Sequence, residues 1–314
     1  MLADLADTVA DAFGAGRVVE PLVLAAAGQQ GRVWRLVTTA GALAVKELRI
    51  RQTEPEAAAD VAYQQAVLAA GTVAMPRPVL TRSGHVLLEV DAHQLRAYTW
   101  VDLRPADRDL DPTLVGATLA AVHRVPFGPA RPFSPWYGDP VGRARWTELL
   151  AAARTQHAPF AEDFAAEIPV LLQLEALFAS PQRLRACHRD LWSDNLLTTP
   201  AGAACVVDWE NCGLADPAQE IPMVLVDFGQ GDPGRVATLF GAYVDAGGPW
   251  RLDGPGSFTM LTAQFGHFWE LAVSRYVATG ASEAVRAHSL GRVAELVAEP
   301  FRPAHLEELL DLVG

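Results

Sequence analysis

His188-Arg189-Asp190-Leu191-Trp192-Ser193-Asp194-Asn195 is the stretch from which the rest of this 314-residue chain can be read. Two short β-like runs follow it, Asn195 to Thr198 and Ala204 to Val207, separated by the turn Pro200-Ala201-Gly202. Read as a hairpin, they bring the octapeptide beside Asp208, thirteen residues after Asn195, where Cys205-Val206-Val207 ends. Asp190, Asn195 and Asp208 then share one edge. A loop of this length lets one carboxylate face a nucleophile while the amide oxygen of Asn195 turns back toward phosphates and a metal.

The octapeptide matches the pattern H-R-D-L-x-x-x-N of the kinase catalytic loop, in which the Asp accepts the acceptor hydroxyl's proton and the Asn holds Mg²⁺. Mg²⁺ prefers hard oxygen ligands and keeps several waters, so Asn195 and Asp208 suffice as its protein ligands. Phosphoryl transfer also needs positive charge on the nucleotide phosphates. Of the 25 basic residues 24 are arginine, and the one lysine, Lys46, ends Ala44-Val45-Lys46, the strand context in which a kinase lysine reaches the α- and β-phosphates. Glu56 and Asp60 lie four apart on one face of the following helix, and Asp60 is the carboxylate expected to orient Lys46. Upstream, Gly28-Gln29-Gln30-Gly31-Arg32-Val33 offers Gly28 and Gly31 to a loop closing over phosphates, without the G-x-G-x-x-G form.

Hydrophobic residues make up 50% and charged residues 20%, ample for a core. The length passes the roughly 250 to 300 residues at which single cores stop growing, so two lobes are expected. A net charge of −12 argues against nucleic acid and anionic membranes as partners, since both reward clustered positive charge. No stretch approaches about 18 uninterrupted apolar residues, and Asp4, Asp7 and Asp11 interrupt the N-terminal apolar pattern, so a cytoplasmic protein is expected. Cys187, Cys205 and Cys212 cannot all pair and lack metal spacing, which reads as reduced thiols.

The pattern changes near Val101 to Arg104. Before it come a helix at Ala3 to Phe13, strand candidates at Arg32 to Thr38, Ala42 to Leu48, His85 to Val90 and Leu95 to Val101, and an inserted helix, Pro55 to Ala70, followed by Gly71. After it, helices are expected from Asp111-Pro112 to about Arg124, and at Trp146 to Gln156, Ala161 to Phe178, Gly234 to Ala246, Ser257 to Thr279, Ser282 to Ala298 and Ala304 to Leu312. The fold class is therefore α+β, a small antiparallel sheet with one inserted helix followed by a mostly helical part. The Pro-rich stretch Val125 to Pro140 reads as an ordered loop, because Phe127, Phe133, Trp136 and Tyr137 are costly to leave in water.

With these residues in place the chain resembles the aminoglycoside phosphotransferase and choline kinase group of small-molecule kinases, which share the two-lobed protein-kinase-like fold. The resemblance runs nearly full length, through the glycine-bearing loop, Lys46, Met75-Pro76-Arg77-Pro78, the hinge at Tyr98 to Leu103, Leu119 to His123, the catalytic loop, Asp208, and Asp216-Pro217-Ala218-Gln219-Glu220. It implies a nucleotide-binding lobe over residues 1–102, ending in the hinge, and a helical lobe over residues 103–314 with the catalytic loop and acceptor pocket. It also implies Asp190 as catalytic base, Asn195 and Asp208 as Mg²⁺ ligands, Lys46 on the phosphates, and backbone groups of Thr99 and Val101 on the purine of ATP or GTP. Three positions depart from the group: Arg189 and Leu103 stand where glycine is usual, and Glu220 where aspartate is usual. Asp208-Trp209-Glu210 is followed within a few residues by Asp216-Pro217, which leaves no room for a protein kinase's peptide-docking segment. A small acceptor is favoured.

In this group the acceptor binds between the catalytic loop and the C-terminal helices. Residues 103–314 hold 26 acidic and 16 basic residues, against 11 and 9 in residues 1–102. That excess suits a cationic acceptor such as an aminoglycoside, a peptide antibiotic or an amino alcohol, and equally a solubility surface. Trp136, Trp192, His267, Trp269 and Glu270 are candidate lining groups, with Tyr137, Gln264 and Arg275; aromatic faces also suit a sugar or nucleoside. The expected function is transfer of the γ-phosphate of ATP or GTP to a hydroxyl of a small molecule, foremost an antibiotic. The alternatives are a kinase of a primary metabolite (a choline-like amino alcohol, a sugar or a homoserine-like acceptor) and a kinase-like binding protein without chemistry. Lys46, Asp190, Asn195 and Asp208, all intact, stand against the last. His188 is expected to brace its loop, and Cys187 to be buried.

Overall fold

Apolar residues spaced two apart build the sheet that holds Lys46. The computed structural model describes residues 5–28, 31–71, 73–128 and 131–313. In it α1 (Ala6–Ala12) precedes β1 (Val23–Ala27), β2 (Gly31–Thr38) and β3 (Gly41–Leu48). After α2 (Glu54–Ala70) come β4 (Pro78–Val79), β5 (Leu88–Val90) and β6 (His93–Thr99). The strands pair antiparallel in the order β1-β2-β3-β6-β4, with β5 also on β6. Leu36, Leu43, Val45, Leu95 and Ala97 bury one face against Val9 of α1 and Phe13 just past its end. A Cβ on Gly31 would come within 2.3 Å of the Glu47 carbonyl oxygen, so glycine there lets β2 and β3 approach.

α2 begins with a capping box, Thr53 and Glu56 exchanging side-chain and backbone hydrogen bonds, and ends at Gly71 with φ 66°. Its Tyr63 and Val67 do not pack under the sheet. They join the main core of the helical part, so α2 ties the sheet to that part.

That part runs α3 (Pro112–His123), α4 (Arg143–Thr155), α5 (Ala161–Glu175), β7 (Arg185–Cys187), β8 (Leu196–Thr198), β9 (Ala204–Val206), β10 (Gly213–Ala215), α6 (Pro217–Gly229), α7 (Pro233–Asp245), α8 (Thr259–Val277), α9 (Glu283–Ala298) and α10 (Pro303–Val313). β8 pairs with β9 and β7 with β10. The main core gathers Ile221, Val224, Leu225 and Phe228 of α6 with Leu119, Val122, Leu239 and Tyr243. A second cluster joins Trp146, Phe164, Trp269, Val273 and Leu296. Trp136 and Phe133 pack on the main core, and Pro135–Tyr137 forms a short 3₁₀ turn capped by Ser134, so the described part of the Pro-rich stretch is ordered. No helix among the described residues is long and apolar enough to cross a membrane.

Several elements differ from expectation for identifiable reasons. α6 lies outside the expected helices: it is buried nearly all round, and Pro222 stands inside it, where proline reads as a break. β1 exposes all five residues and lacks alternation. The strand expected over His85 to Val90 is confined to β5, because the Val86 and Leu87 N–H groups are taken by the Glu54 carboxylate.

Candidate active site

The β8–β9 register pairs Leu196 with Val206, and the Val207 N–H donates to the Asn195 carbonyl at 2.9 Å. Asn195 and Asp208 thereby come side by side. Asn195 Nδ2 donates to the Asp190 carbonyl oxygen at 2.7 Å, which turns Asn195 Oδ1 the other way. Asp208 sits in the left-handed region (φ 59°, ψ 54°), and the next residue, Trp209, is buried with its indole N–H bonded to the Val206 carbonyl at 3.1 Å.

Asp190 is half-buried, its Oδ2 accepting from Asn211 Nδ2 at 2.8 Å. Burial raises its carboxyl above the ordinary value, opposed by His188 and by the Asn211 hydrogen bond. His188 braces the loop as expected: one ring nitrogen pairs with the Val207 carbonyl at 3.0 Å and the ring stands edge-on to Trp209. Burial lowers the His188 pKa, which keeps the ring neutral.

Behind the loop, Glu220 takes the Arg189 N–H at 2.5 Å on one oxygen and His123 Nε2 at 2.9 Å on the other. His123 Nδ1 meets the Tyr243 hydroxyl at 3.1 Å. Glutamate in place of the usual aspartate thus still reaches the loop backbone. Cys187 lies close enough to His123 and Glu220 for the three to resemble a metal-binding group, but both Glu220 oxygens are committed to His123 and Arg189. Burial pushes the Cys187 thiol pKa well up, which makes it a packed and unreactive group.

Lys46 reaches this edge from β3. Its Nζ lies 2.5 Å from Asp208 Oδ1 and 3.0 Å from Glu210 Oε2, and Glu210 Oε1 accepts from the Tyr98 hydroxyl at 2.7 Å. Burial opposes the Lys46 charge, but Glu210 and Asp208 outweigh it and hold the ammonium above its ordinary pKa. Burial likewise opposes the Glu210 charge, yet Lys46 and the hydrogen bonds hold that carboxyl well below its usual range.

The expectation that Asp60 orients Lys46 is corrected. Asp60 is fully buried and meets Arg96 at 3.2 Å, with Gln52 at 3.2 Å and Arg131 at 3.7 Å. The cause is sheet register: Lys46 stands opposite Arg96 across β3 and β6, so two cations share one face and each draws its own carboxylate. Arg96 takes the one on α2, leaving Lys46 to the segment after Asp208. The sequence assigns Glu210 no role; an acidic residue just past the apolar run that ends at Asp208 is the signal it offers.

Of the glycine loop, Gln29 and Gln30 lie outside the described residues. The Gly28 N–H donates to the Gly31 carbonyl at 2.9 Å. At the hinge the Thr99 N–H is bonded to Arg77 and the Trp100 N–H to Ala42, so Thr99 can offer a purine its carbonyl and not its N–H. Val101 follows, half-buried.

Three expected acceptor-side residues come together. Trp136 stacks on His267 at 4.9 Å, and Glu270 bonds Arg145 at 2.9 Å and His267 at 3.3 Å. Trp269 does not join them and is corrected to a core residue: it is fully buried and stacked on Phe164, because the residue beside Glu270 on a helix points elsewhere. Gln264 is also buried, beside Met223, whereas Arg275 is exposed and Trp192 half-buried on the main core.

A strand lysine, a loop Asp and Asn and a strand-end Asp, meeting between an antiparallel sheet and a helical part, define a phosphotransferase of the protein-kinase-like class. The chain belongs to the phosphotransferase enzyme family, matched over residues 22–254. It is 32% identical over 126 residues to the viomycin phosphotransferase of Streptomyces vinaceus; the match covers 38% of this chain and 43% of that protein, so it spans less than half of that relative. Among solved structures, a spectinomycin phosphotransferase crystallised with ADP and spectinomycin superposes with a TM-score of 0.71 at 12% identity, covering 98% of this chain and 97% of that one. A choline kinase from Streptococcus pneumoniae gives 0.58 at 13% identity, over 95% and 99%. Likeness at these identities is one of fold.

Proposed function

We propose that the protein transfers the γ-phosphoryl group of ATP or GTP to a hydroxyl of a small molecule, with an antibiotic as the first acceptor class. In this reading residues 1–102 bind the nucleotide, residues 103–314 carry the acceptor, and the enzyme works in the cytoplasm. The observation that carries it is the meeting of Lys46 from the sheet with Asp208 at 2.5 Å, one residue beyond the Val207–Asn195 backbone bond.

Asn195 Oδ1 and the Asp208 carboxylate are hard oxygen donors flanking the paired strands β8 and β9, a set that fits Mg²⁺. Held there, Mg²⁺ would supply positive charge to offset the charge that develops on the transferring phosphoryl group. Lys46, aimed by Glu210, binds the nucleotide phosphates. Thr99 and Val101 hold the purine by backbone groups, and Gly28 and Gly31 flank the phosphate loop. Asp190 orients the acceptor hydroxyl and takes its proton as the oxygen bonds to the γ-phosphorus and the nucleoside diphosphate leaves. Trp136, His267, Glu270 and Trp192 line the acceptor side, where the acidic excess of residues 103–314 favours a cationic molecule.

The test is nucleoside-diphosphate release from MgATP and MgGTP across viomycin, spectinomycin, other aminoglycosides, nucleoside antibiotics, choline, aminopropanol and sugars. Acceleration by an antibiotic is expected. Acceleration by choline or aminopropanol alone would replace the acceptor class, and nucleotide binding without release for any acceptor would leave a binding protein.

A further inference from the structure

The Asn211 side chain donates to the Asp190 carboxylate, and the Arg189 guanidinium donates to the Asn211 carbonyl. We propose that Asn211 is a positioning residue for the Asp190 carboxylate and that Arg189 acts through it, locking the catalytic loop to the segment after Asp208; this rests on Asp190 being the acceptor base.

A carboxylate on a loop rotates freely unless one oxygen is held. Asn211 Nδ2 holds Asp190 Oδ2 at 2.8 Å, the larger of two side-chain hydrogen-bond contributions to this carboxylate, the smaller coming from Trp192, and fixes the plane in which the carboxylate meets an acceptor hydroxyl. The Asn211 main chain is fixed in turn. Arg189 Nε donates to the Asn211 carbonyl at 2.7 Å, Nη2 to the Cys212 carbonyl at 3.1 Å, and Nη1 to the carbonyls of Leu214 and Pro132, each at 3.3 Å. Arg131 adds a bond to the Glu210 carbonyl at 2.6 Å. Two arginines therefore strap the carbonyls of residues 210, 211, 212 and 214.

The arrangement is costly, which argues that it is specific. Arg189 is 3% exposed, and among the described residues its guanidinium bonds only neutral carbonyls, while its cation faces the Tyr137 ring at 4.5 Å. Its backbone sits at φ 65°, an uncommon region for a residue with a Cβ, and this turns the side chain toward the strapped segment. Gly213 completes the fit, since a Cβ there would lie 2.4 Å from Arg189 Nη2. The arginine that replaces the usual glycine thus has a matching glycine opposite it.

The test compares wild type with Asn211→Leu, Arg189→Met, Gly213→Ala and the double variant Arg189→Met/Asn211→Leu. Gly213→Ala displaces the guanidinium without removing it, and so covers the case in which Arg189→Met does not fold. ADP release from MgATP is followed with whichever acceptor of the panel above accelerates it most, or with water where none does. Asn211→Leu should lower kcat by about 10- to 100-fold, with KM for ATP within about twofold of wild type. Arg189→Met and Gly213→Ala should lower kcat in the same way, and the double variant should fall no further than Asn211→Leu. A kcat for Asn211→Leu within twofold of wild type, or multiplicative losses in the double variant, would overturn the proposal. A wild type silent toward the whole panel and water would defeat the reading of Asp190 and not the geometry. In that case crystal structures of wild type and Asn211→Leu decide: the Asp190 carboxylate should rotate in the variant, and an unchanged carboxylate overturns the proposal.

Discussion

Lys46 Nζ lies 3.0 Å from Glu210 Oε2, so the one lysine of the sheet is aimed by a carboxylate two residues past Asp208 and not by helix α2. The Tyr98 hydroxyl holds the other Glu210 oxygen at 2.7 Å. Glu210→Gln keeps the shape and removes the charge. A hydrogen bond to a charged group contributes about 1.5–3 kcal/mol, so nucleotide affinity should fall roughly tenfold or more. Titration of the folded variant with ADP checks this, and an unchanged affinity would remove Glu210 from the nucleotide site.

Asp60→Asn should do the opposite. It leaves Arg96 buried without its carboxylate, a loss of about 3–5 kcal/mol in stability, while the affinity of the folded fraction for ADP stays within about twofold. Urea unfolding beside ADP titration separates the two effects. A larger loss of affinity than of stability would restore Asp60 to the lysine.

Asp190→Asn should reduce kcat by about 10²- to 10⁴-fold with nucleotide binding kept, the range for loss of a general base. Burial raises the Asp190 carboxyl above 3.8, and only the ionised form accepts a proton. kcat should therefore decline as pH falls through that raised value. An acidic limb at or below 3.8 in the wild type would contradict the assignment.

Glu220 supplies a pH-dependent brace. Burial works against its charge, but the hydrogen bond and charge of His123 hold its carboxyl below 4.5. A depressed carboxyl stabilises the fold above pH 4.5, and that contribution is lost as pH falls through the folded value. Glu220→Gln should be less stable than wild type at neutral pH, with the gap narrowing below pH 4.5. A gap that is constant with pH would count against an ionised Glu220.

Helix packing gives a contrast within one bundle. A Cβ on Gly116 of α3 would lie 2.1 Å from the Leu239 carbonyl oxygen and 2.9 Å from the Tyr243 nitrogen, whereas one on Gly241 of α7 meets nothing within 4 Å. Gly116→Ala should destabilise by about 1–3 kcal/mol, and Gly241→Ala should stabilise by about 0.4–1 kcal/mol. Thermal unfolding of the two variants checks the sign of each.

Chemistry confined to a short span was legible without coordinates. The octapeptide ending at Asn195, the hairpin that carries Asp208, the single lysine at a strand end and the caps of α2 and α3 each depend on neighbours a few residues away, where pattern and turn residues suffice. α6 escaped because Pro222 stands inside it and proline in a helix interior reads as a break, and Trp269 falls in the core because its side of α8 depends on which neighbours dock there. Which carboxylate meets which cation was open until the chain folded. Lys46 and Arg96 become neighbours through the β3–β6 register, and Glu210 and Asn211 come into reach through the strapped segment after Asp208. A buried charge must find a partner among the groups that packing brings within about 4 Å, and packing joins residues more than a hundred positions apart, as with Lys46 and Glu210.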